Sequence, residues 1–360
     1  MKFLFRLLSK SIFILLFFYN GQAQTSPEGI INSEFIFPTT EFPECHASSI
    51  VQTKDGFLVT WFAGTHEKNP DVSIYASRYS HGTWSKPIEL ANGIQSSDVR
   101  YPCWNPVLFQ VPQGDLLLFY KVGPDPVHWW GMIRRSKDEG NTWSEPEKLP
   151  EGILGPIKNK PVWLHNKTIL CPTSTELDGW KLYFEYSKDL GKTWRKTAFL
   201  NDGKNIMAIQ PSVLFHPKGK LQLLCRSQND AILEAYSNDN GMTWSEVQKT
   251  NLPNPNSGTD AVTLKDGRHL LVYNHTIRYE GKWGGPRSPI NVAISKDGKK
   301  WFAVAELETE PGEFSYPAII QSTDGMVHII YTWKRKTVKH VVLDPKKISG
   351  TEIMNGQWPK

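Results

Sequence analysis

The chain repeats one eight-residue phrase along its length. Ser136–Trp143 reads SKDEGNTW, Ser187–Trp194 reads SKDLGKTW and Ser237–Trp244 reads SNDNGMTW. Ser295–Trp301, SKDGKKW, is one residue shorter, and Ser80–Trp84, SHGTW, keeps the ending but has lost the Asp. The closing tryptophans, Trp84, Trp143, Trp194, Trp244 and Trp301, fall 50 to 59 residues apart. A period of that size means propeller blades or a solenoid. A second repeat decides between them. Turn signals at Gly56, Gly114, Asn166, Gly219, Gly267 and Gly325 each separate two short runs rich in Val, Ile, Leu, Phe and Tyr, the pattern of a β-hairpin. A hairpin, a third strand, the phrase as a tight turn and a last strand make four strands per unit, which is a blade. The expected fold is all-β: a six-bladed β-propeller of four-stranded blades, one domain over residues 24–360. No copy of the phrase follows the sixth hairpin, so residues 26–42 are expected to close that blade.

The phrase itself is poor in chemistry. Its Asp and Ser can bond turn backbone, its Gly permits positive φ and its Trp packs between sheets. It marks a fold, and the site must be sought elsewhere.

Residues 1–23 read as a signal peptide. Lys2, Arg6 and Lys10 form a basic start, Ser11–Tyr19 is a short apolar core, and Gly21-Gln22-Ala23 offers small residues for cleavage. Export to the periplasm or outside the cell is expected. No later segment is apolar enough to span a bilayer, and no membrane anchor is expected. The formal charge of +5 falls to about +2 without those three basic residues, which makes no electrostatic case for nucleic acid. The 14 Trp and 12 Tyr suit sugar faces, although five of the Trp belong to the repeats. Cys45, Cys103, Cys171 and Cys225 have no metal-ligand spacing, and the matched ILC and LLC contexts of Cys171 and Cys225 suggest buried free thiols. His66, His128 and His275 have no ligand spacing either; no metal and no cofactor is expected.

In a propeller the innermost strand of every blade starts at one face, around the central axis. The six starts read ECHASSI, PCWNPVL, IKNKPVW, AIQPSVL, GTDAVTL and FSYPAII. With a Pro or Ala as register mark, the residues just before it are His46, Asn105, Lys160, Gln210, Asp260 and Tyr316. All are polar or ionisable, as a ring around one pocket would be. The far ends of the hairpins return to the same face with Lys121, Arg226, Asn274 and His275. Loops there add His66, Glu67, Asp71, His128, Trp129 and Trp180, and Arg287 starts a third strand. Two arginines facing a pocket suit a carboxylate, which each can grip bidentately. Trp129, Trp130 and Trp180 hint at a pocket for chain ends.

With its Asp-box repeats and the segments ECHASSI, CWNPVLF, LGPIKNKP, NPNSG, SYPAIIQ and VKHVVL, the chain resembles the sialidase-like superfamily over nearly its whole length after residue 23. Sialidases hold the sugar carboxylate with three Arg, attack with a Tyr helped by a Glu, and use an Asp as acid and base, departing from the two-carboxylate scheme. The resemblance implies that Arg226 is the second arginine, Arg287 the third and Tyr316 the nucleophile. It also exposes departures. His46 stands where the first arginine belongs and Gln210 where the helper Glu belongs. The acid must come from THEKNPD, as Glu67 or Asp71.

Three readings follow. The favoured one is an exported enzyme acting on an acidic, uronate-containing oligosaccharide by β-elimination, as a lyase or dehydratase, with algal glycans such as ulvan as one source. Tyr316 or His46 is then the base and the other the acid, while Arg226, Arg287, Gln210 and Asn105 bind and acidify the substrate. The second is a glycosidase of sialidase type, with Tyr316 as nucleophile and Glu67, Asp71 or Asp260 as acid. The third is a glycan-binding propeller without catalysis.

Overall fold

The computed structural model describes residues 29–359, so the expected signal peptide lies outside the described residues. Six antiparallel sheets follow one another around a ring. Their innermost strands are Glu44–Thr53, Cys103–Gln110, Val162–Trp163, Ala208–Phe215, Asp260–Thr263 and Phe314–Gln321. They define blades one to six. The sixth sheet is completed by Ile30–Phe35, which pairs with Thr337–Leu343. The first strand of the described chain therefore closes the last blade, as expected. The fifth sheet gains a short extra strand, Thr351–Glu352, along Phe302–Glu308.

The core is divided among the joints between blades. Leu58, Ile74 and Ala76 of blade one meet Leu108, Leu118 and Tyr120 of blade two, and Phe57 and Trp61 of blade one meet Ile330 and Val338 of blade six. The remaining four joints hold corresponding clusters. Each strand presents side chains to both faces of its sheet, so a blade is apolar on two sides and stable only between neighbours.

The repeated phrase acts as a clip at the blade edge. In blade two, Ser136 Oγ bonds Asp138 Oδ1 at 2.8 Å and accepts the Gly140 N–H at 2.6 Å; Asp138 accepts the Thr142 N–H at 2.8 Å and the Thr142 hydroxyl at 2.6 Å. Those donors hold Asp138 down at about 2. Gly140 needs its φ of 87° to make the turn. Trp143 then packs on the cluster between blades one and two, and Trp194 and Trp244 do the same one and two joints further on. All four cysteines are free and buried.

Candidate functional site

Four of the six inner strands begin with the same irregularity. The pairing slips by one residue between His46 and Ser49, Trp104 and Val107, Ile209 and Ser212, and Ser315 and Ala318. The residue in each bulge takes positive φ: Ala47 55°, Asn105 41°, Gln210 59° and Tyr316 53°. A bulge re-aims a side chain, and three of these positions carry polar side chains. The slip corrects the register read from sequence. Ala47, not His46, is the counterpart of Asn105, Gln210 and Tyr316; His46 lies one residue earlier.

His46 nonetheless meets Tyr316, with ring centroids 4.1 Å apart. Its Nδ1 lies 3.0 Å from the Thr332 hydroxyl, which also accepts the Ala47 N–H at 3.2 Å. The Thr332 hydroxyl can donate to Nδ1 or accept from it; as donor it leaves the His46 proton on Nε2. His46 is 2% exposed. Burial, reinforced by Arg335, pushes its pKa well below the usual imidazole value, so it is neutral at neutral pH.

The Tyr316 hydroxyl receives two N–H donors, Arg226 Nη1 at 2.9 Å and Gln210 Nε2 at 3.3 Å. Arg226 is itself 2% exposed. Its Nε donates to Asn256 Oδ1 at 2.9 Å, and its guanidinium lies 5.0 Å from the Trp180 ring centre and 5.4 Å from that of Trp283. These aromatic faces favour a cation that burial would otherwise disfavour. Beneath Tyr316 sits Lys158, its Nζ 5.9 Å from the ring centre. It donates to Asn159 Oδ1 and to the backbone carbonyls of Thr259 and Pro317, so it ties blades three, five and six together. Burial pushes its pKa down to about 7, with Asp260 opposing.

Beside this group runs a chain of ion pairs: Arg287 to Glu313 at 2.6 Å, Glu313 to Arg335 at 2.9 Å and Arg335 to Glu67 at 2.7 Å. Arg287 acts electrostatically on both Arg226 and His46, so three arginines converge on one region. Burial opposes ionisation of Glu313, but neighbouring positive charge, that of Arg287 and Arg335 included, outweighs it and holds it down at about 2. Arg335 was not singled out from the sequence. It lies in WKRKT, which reads as a solvated basic turn, yet its φ of 55° and the Cys45 N–H bond to its carbonyl bring it against the start of blade one. Glu176 was also missed. It accepts the Trp180 indole N–H at 3.0 Å, and burial, with Arg226 opposing and Glu67 adding, raises its pKa above the usual carboxyl value.

Several expected site residues have other duties. Asp260 accepts from Ser212 Oγ at 2.9 Å, the Ile319 N–H at 3.0 Å and Lys160 Nζ at 2.9 Å. Asp260 and Lys160 are thus a strut between blades, because each joins partners on different blades. Asp71 caps its own loop through the Thr65 N–H and hydroxyl. His275 bonds the Gly356 carbonyl and packs on Trp358, which ties it to the C-terminal segment. His66 bonds the Glu67 carbonyl and His128 bonds Asp125, so these histidines do not converge. Asn105 is buried in the bulge of blade two's innermost strand. Trp129 stands further out: His46 touches Phe62, Phe62 touches Trp104, and Trp104 touches Trp129 at 5.9 Å.

Comparison with known proteins agrees with this architecture. Residues 55–329 match the family described as BNR repeat-like domain. The chain is 24% identical over 236 residues to the anhydrosialidase of Macrobdella decora, covering 58% of this chain and 31% of that protein. It is 24% identical over 263 residues to a sialidase of Clostridium perfringens, covering 60% of this chain and 64% of that protein. The chain thus spans less than two thirds of the length of either relative. Among solved structures, a Dyadobacter fermentans protein of unknown function superposes with a TM-score of 0.72 at 19% identity, covering 90% of this chain and 100% of that one. The NanB sialidase of Streptococcus pneumoniae gives 0.69 at 14% identity, covering 88% and 71%.

Proposed function

Because the chain belongs to the BNR repeat-like domain family of sialidase-like β-propellers, we propose that its central site takes an anionic sugar and that Tyr316 is the reacting group. The observation that carries this reading is the hydroxyl of Tyr316 held by Arg226 and Gln210. Both partners donate, so the phenol oxygen is fixed in place, facing one cationic and one neutral N–H donor. Arg226, Arg287 and Arg335 supply the positive charge that a sugar carboxylate requires. Exposed Trp283 offers a ring face to the sugar.

The absence of a helper carboxylate at Gln210 favours β-elimination from a uronate. In that reaction the arginines neutralise the carboxylate and acidify the carbon beside it. The Tyr316 phenolate takes the proton from that carbon. Its electrons form the double bond as the bond to the leaving oxygen breaks; with its proton on Nε2, neutral His46 donates that proton to the leaving oxygen and is restored by the proton Tyr316 has taken up. The leaving group is a sugar in a lyase or water in a dehydratase.

A second reading, glycoside cleavage of sialidase type, is favoured by the relatives named above as sialidases. It makes Tyr316 the nucleophile and needs a protonated carboxyl. Glu67 is engaged by Arg335 and Asp71 by Thr65, which leaves Glu176, whose carboxyl is pushed toward its neutral form.

Mass spectrometry of acidic oligosaccharides before and after incubation separates the readings. The substrates are sialylated, glucuronate-terminated and sulfated algal fragments. Loss of water, or cleavage to an unsaturated uronate, supports elimination; cleavage with gain of water overturns it in favour of hydrolysis. Saturable binding without product from any substrate would leave a glycan-binding propeller and overturn both catalytic readings.

A further inference from the structure

A groove of about 780 Å3 opens between blades two and three, outside the site described above. Its wall includes Trp129, Trp130, Phe199, Lys148, Lys181 and Lys196. The lysines lie against aromatic rings or carbonyls: Lys148 Nζ is 5.0 Å from the Trp130 ring centre, Lys181 Nζ is 5.3 Å from that of Phe199, and Lys196 bonds the Gly152 carbonyl at 3.4 Å. Among the described residues none of the three forms an ion pair. Two carboxylates, Glu151 and Asp178, also belong to the wall, and both are exposed to solvent. Phe199, Leu177 and Val127 add apolar side chains, between 40% and 54% exposed, to the same wall.

Side-chain contacts lead from the groove to the central site. Trp129 reaches His46 through Trp104 and Phe62. Thr175 and Leu177, on the groove side, flank Glu176, whose bond to Trp180 leads to Arg226. The 175–180 loop therefore turns Leu177 to the groove and Trp180 to Arg226, while Trp129 stands three ring contacts from His46. Unpaired ammonium groups beside aromatic faces are the chemistry that binds a charged sugar: rings stack on the sugar's C–H face and lysines meet carboxylate or sulfate.

We propose that this groove is an extension subsite, binding the second and later residues of an anionic oligosaccharide whose terminal sugar occupies the central site. This rests on the anionic-sugar reading of that site, and the test separates the two. The inactive Tyr316→Phe protein is titrated calorimetrically with tetrasaccharides of galacturonate, hyaluronan and sulfated carrageenan, each against its acidic monosaccharide. The expected result is that at least one tetrasaccharide binds tenfold or more tightly than its monosaccharide. In a Lys148→Ala/Lys181→Ala version that advantage disappears while monosaccharide affinity is unchanged. Equal affinity for long and short ligands, or an advantage that survives the double substitution, overturns the subsite and leaves the central reading intact. Lysine-dependent tetrasaccharide binding with no monosaccharide binding, unaffected by Arg226→Ala, supports a sugar site in the groove and overturns its link to the centre. No binding of any ligand overturns both.

Discussion

The guanidinium of Arg226 donates a 2.9 Å hydrogen bond to the hydroxyl of Tyr316, from a position almost wholly removed from water. The bond fixes the position of the phenol oxygen at the centre of the site. Tyr316→Phe removes that oxygen and keeps the ring. Turnover is expected to fall by about 10²–10⁴-fold, while stability changes by no more than about 1–3 kcal/mol. Initial rates and denaturant midpoints check both; a Phe variant with half the wild-type rate would exclude Tyr316 as the reacting group.

Gln210→Glu asks which chemistry the centre performs. Gln210 Nε2 donates to Tyr316 at 3.3 Å, and a carboxylate there would accept the phenol's proton instead. If Tyr316 is a base for elimination, the extra negative charge beside it and beside the substrate carboxylate should cut the rate tenfold or more. An increased rate on a sialoside would instead place the chain with the tyrosine-nucleophile glycosidases.

Glu313→Gln should break two ion pairs at once. The folded-state pKa of Glu313 is about 2, below the unfolded value of about 4.3. Its stabilisation is therefore fully present above about pH 5 and is lost as pH falls through that window toward 2. Wild type should exceed the variant in stability at pH 6, and the two should converge near pH 2. A gap independent of pH, measured by chemical denaturation, would contradict the assignment.

Lys158 predicts a slope of the same sign in a more alkaline window. Its folded-state pKa is about 7 against about 10.4 when unfolded. Between those values the unfolded chain holds more protons, so the Lys158 contribution makes stability rise with pH. The stability difference between wild type and Lys158→Met should shift in favour of wild type from pH 7 to pH 10. A flat difference would mean that the three carbonyl acceptors around Nζ keep it charged throughout.

The cysteines offer a simple control on the packing of the blades. Cys45, Cys103, Cys171 and Cys225 are at most 1% exposed, and burial raises each thiol far above its usual range. A thiol reagent at pH 8 should label none of them in the folded protein and all four in denaturant. Rapid labelling of any one in the folded state would show that its joint opens.

The blades were legible because their punctuation is local: a turn residue between two apolar runs, then the Ser-Asp-Gly-Thr-Trp clip, each held by bonds within a few residues. Gln210, Tyr316 and Arg226 were legible because the repeats could be compared with one another. His46 was placed one residue off, since blade one has no proline to mark the bulge and Ala47 carries no signal of its positive φ. Arg335, Glu313 and Glu176 were invisible for a different reason. Their importance comes from contacts between blades distant in sequence, and a charged residue in a turn looks the same whether it faces solvent or a buried partner. The cross-blade bonds of Asp260 and Lys160 were hidden for the same reason: a polar ring at the axis serves both to bind a ligand and to fasten the blades together.

The pairing of Ile30–Phe35 with Thr337–Leu343 also sets the timetable of assembly. The strand that leaves the ribosome early must wait for a partner about 300 residues later, on the order of 15–60 s at ordinary rates of synthesis. Through that interval the waiting strand keeps its backbone donors and acceptors unpaired and open to a neighbouring chain. The nascent protein is most exposed to mispairing just before it is finished, and a helper that shields one strand edge would matter more to its yield than any change in the stability of the closed ring.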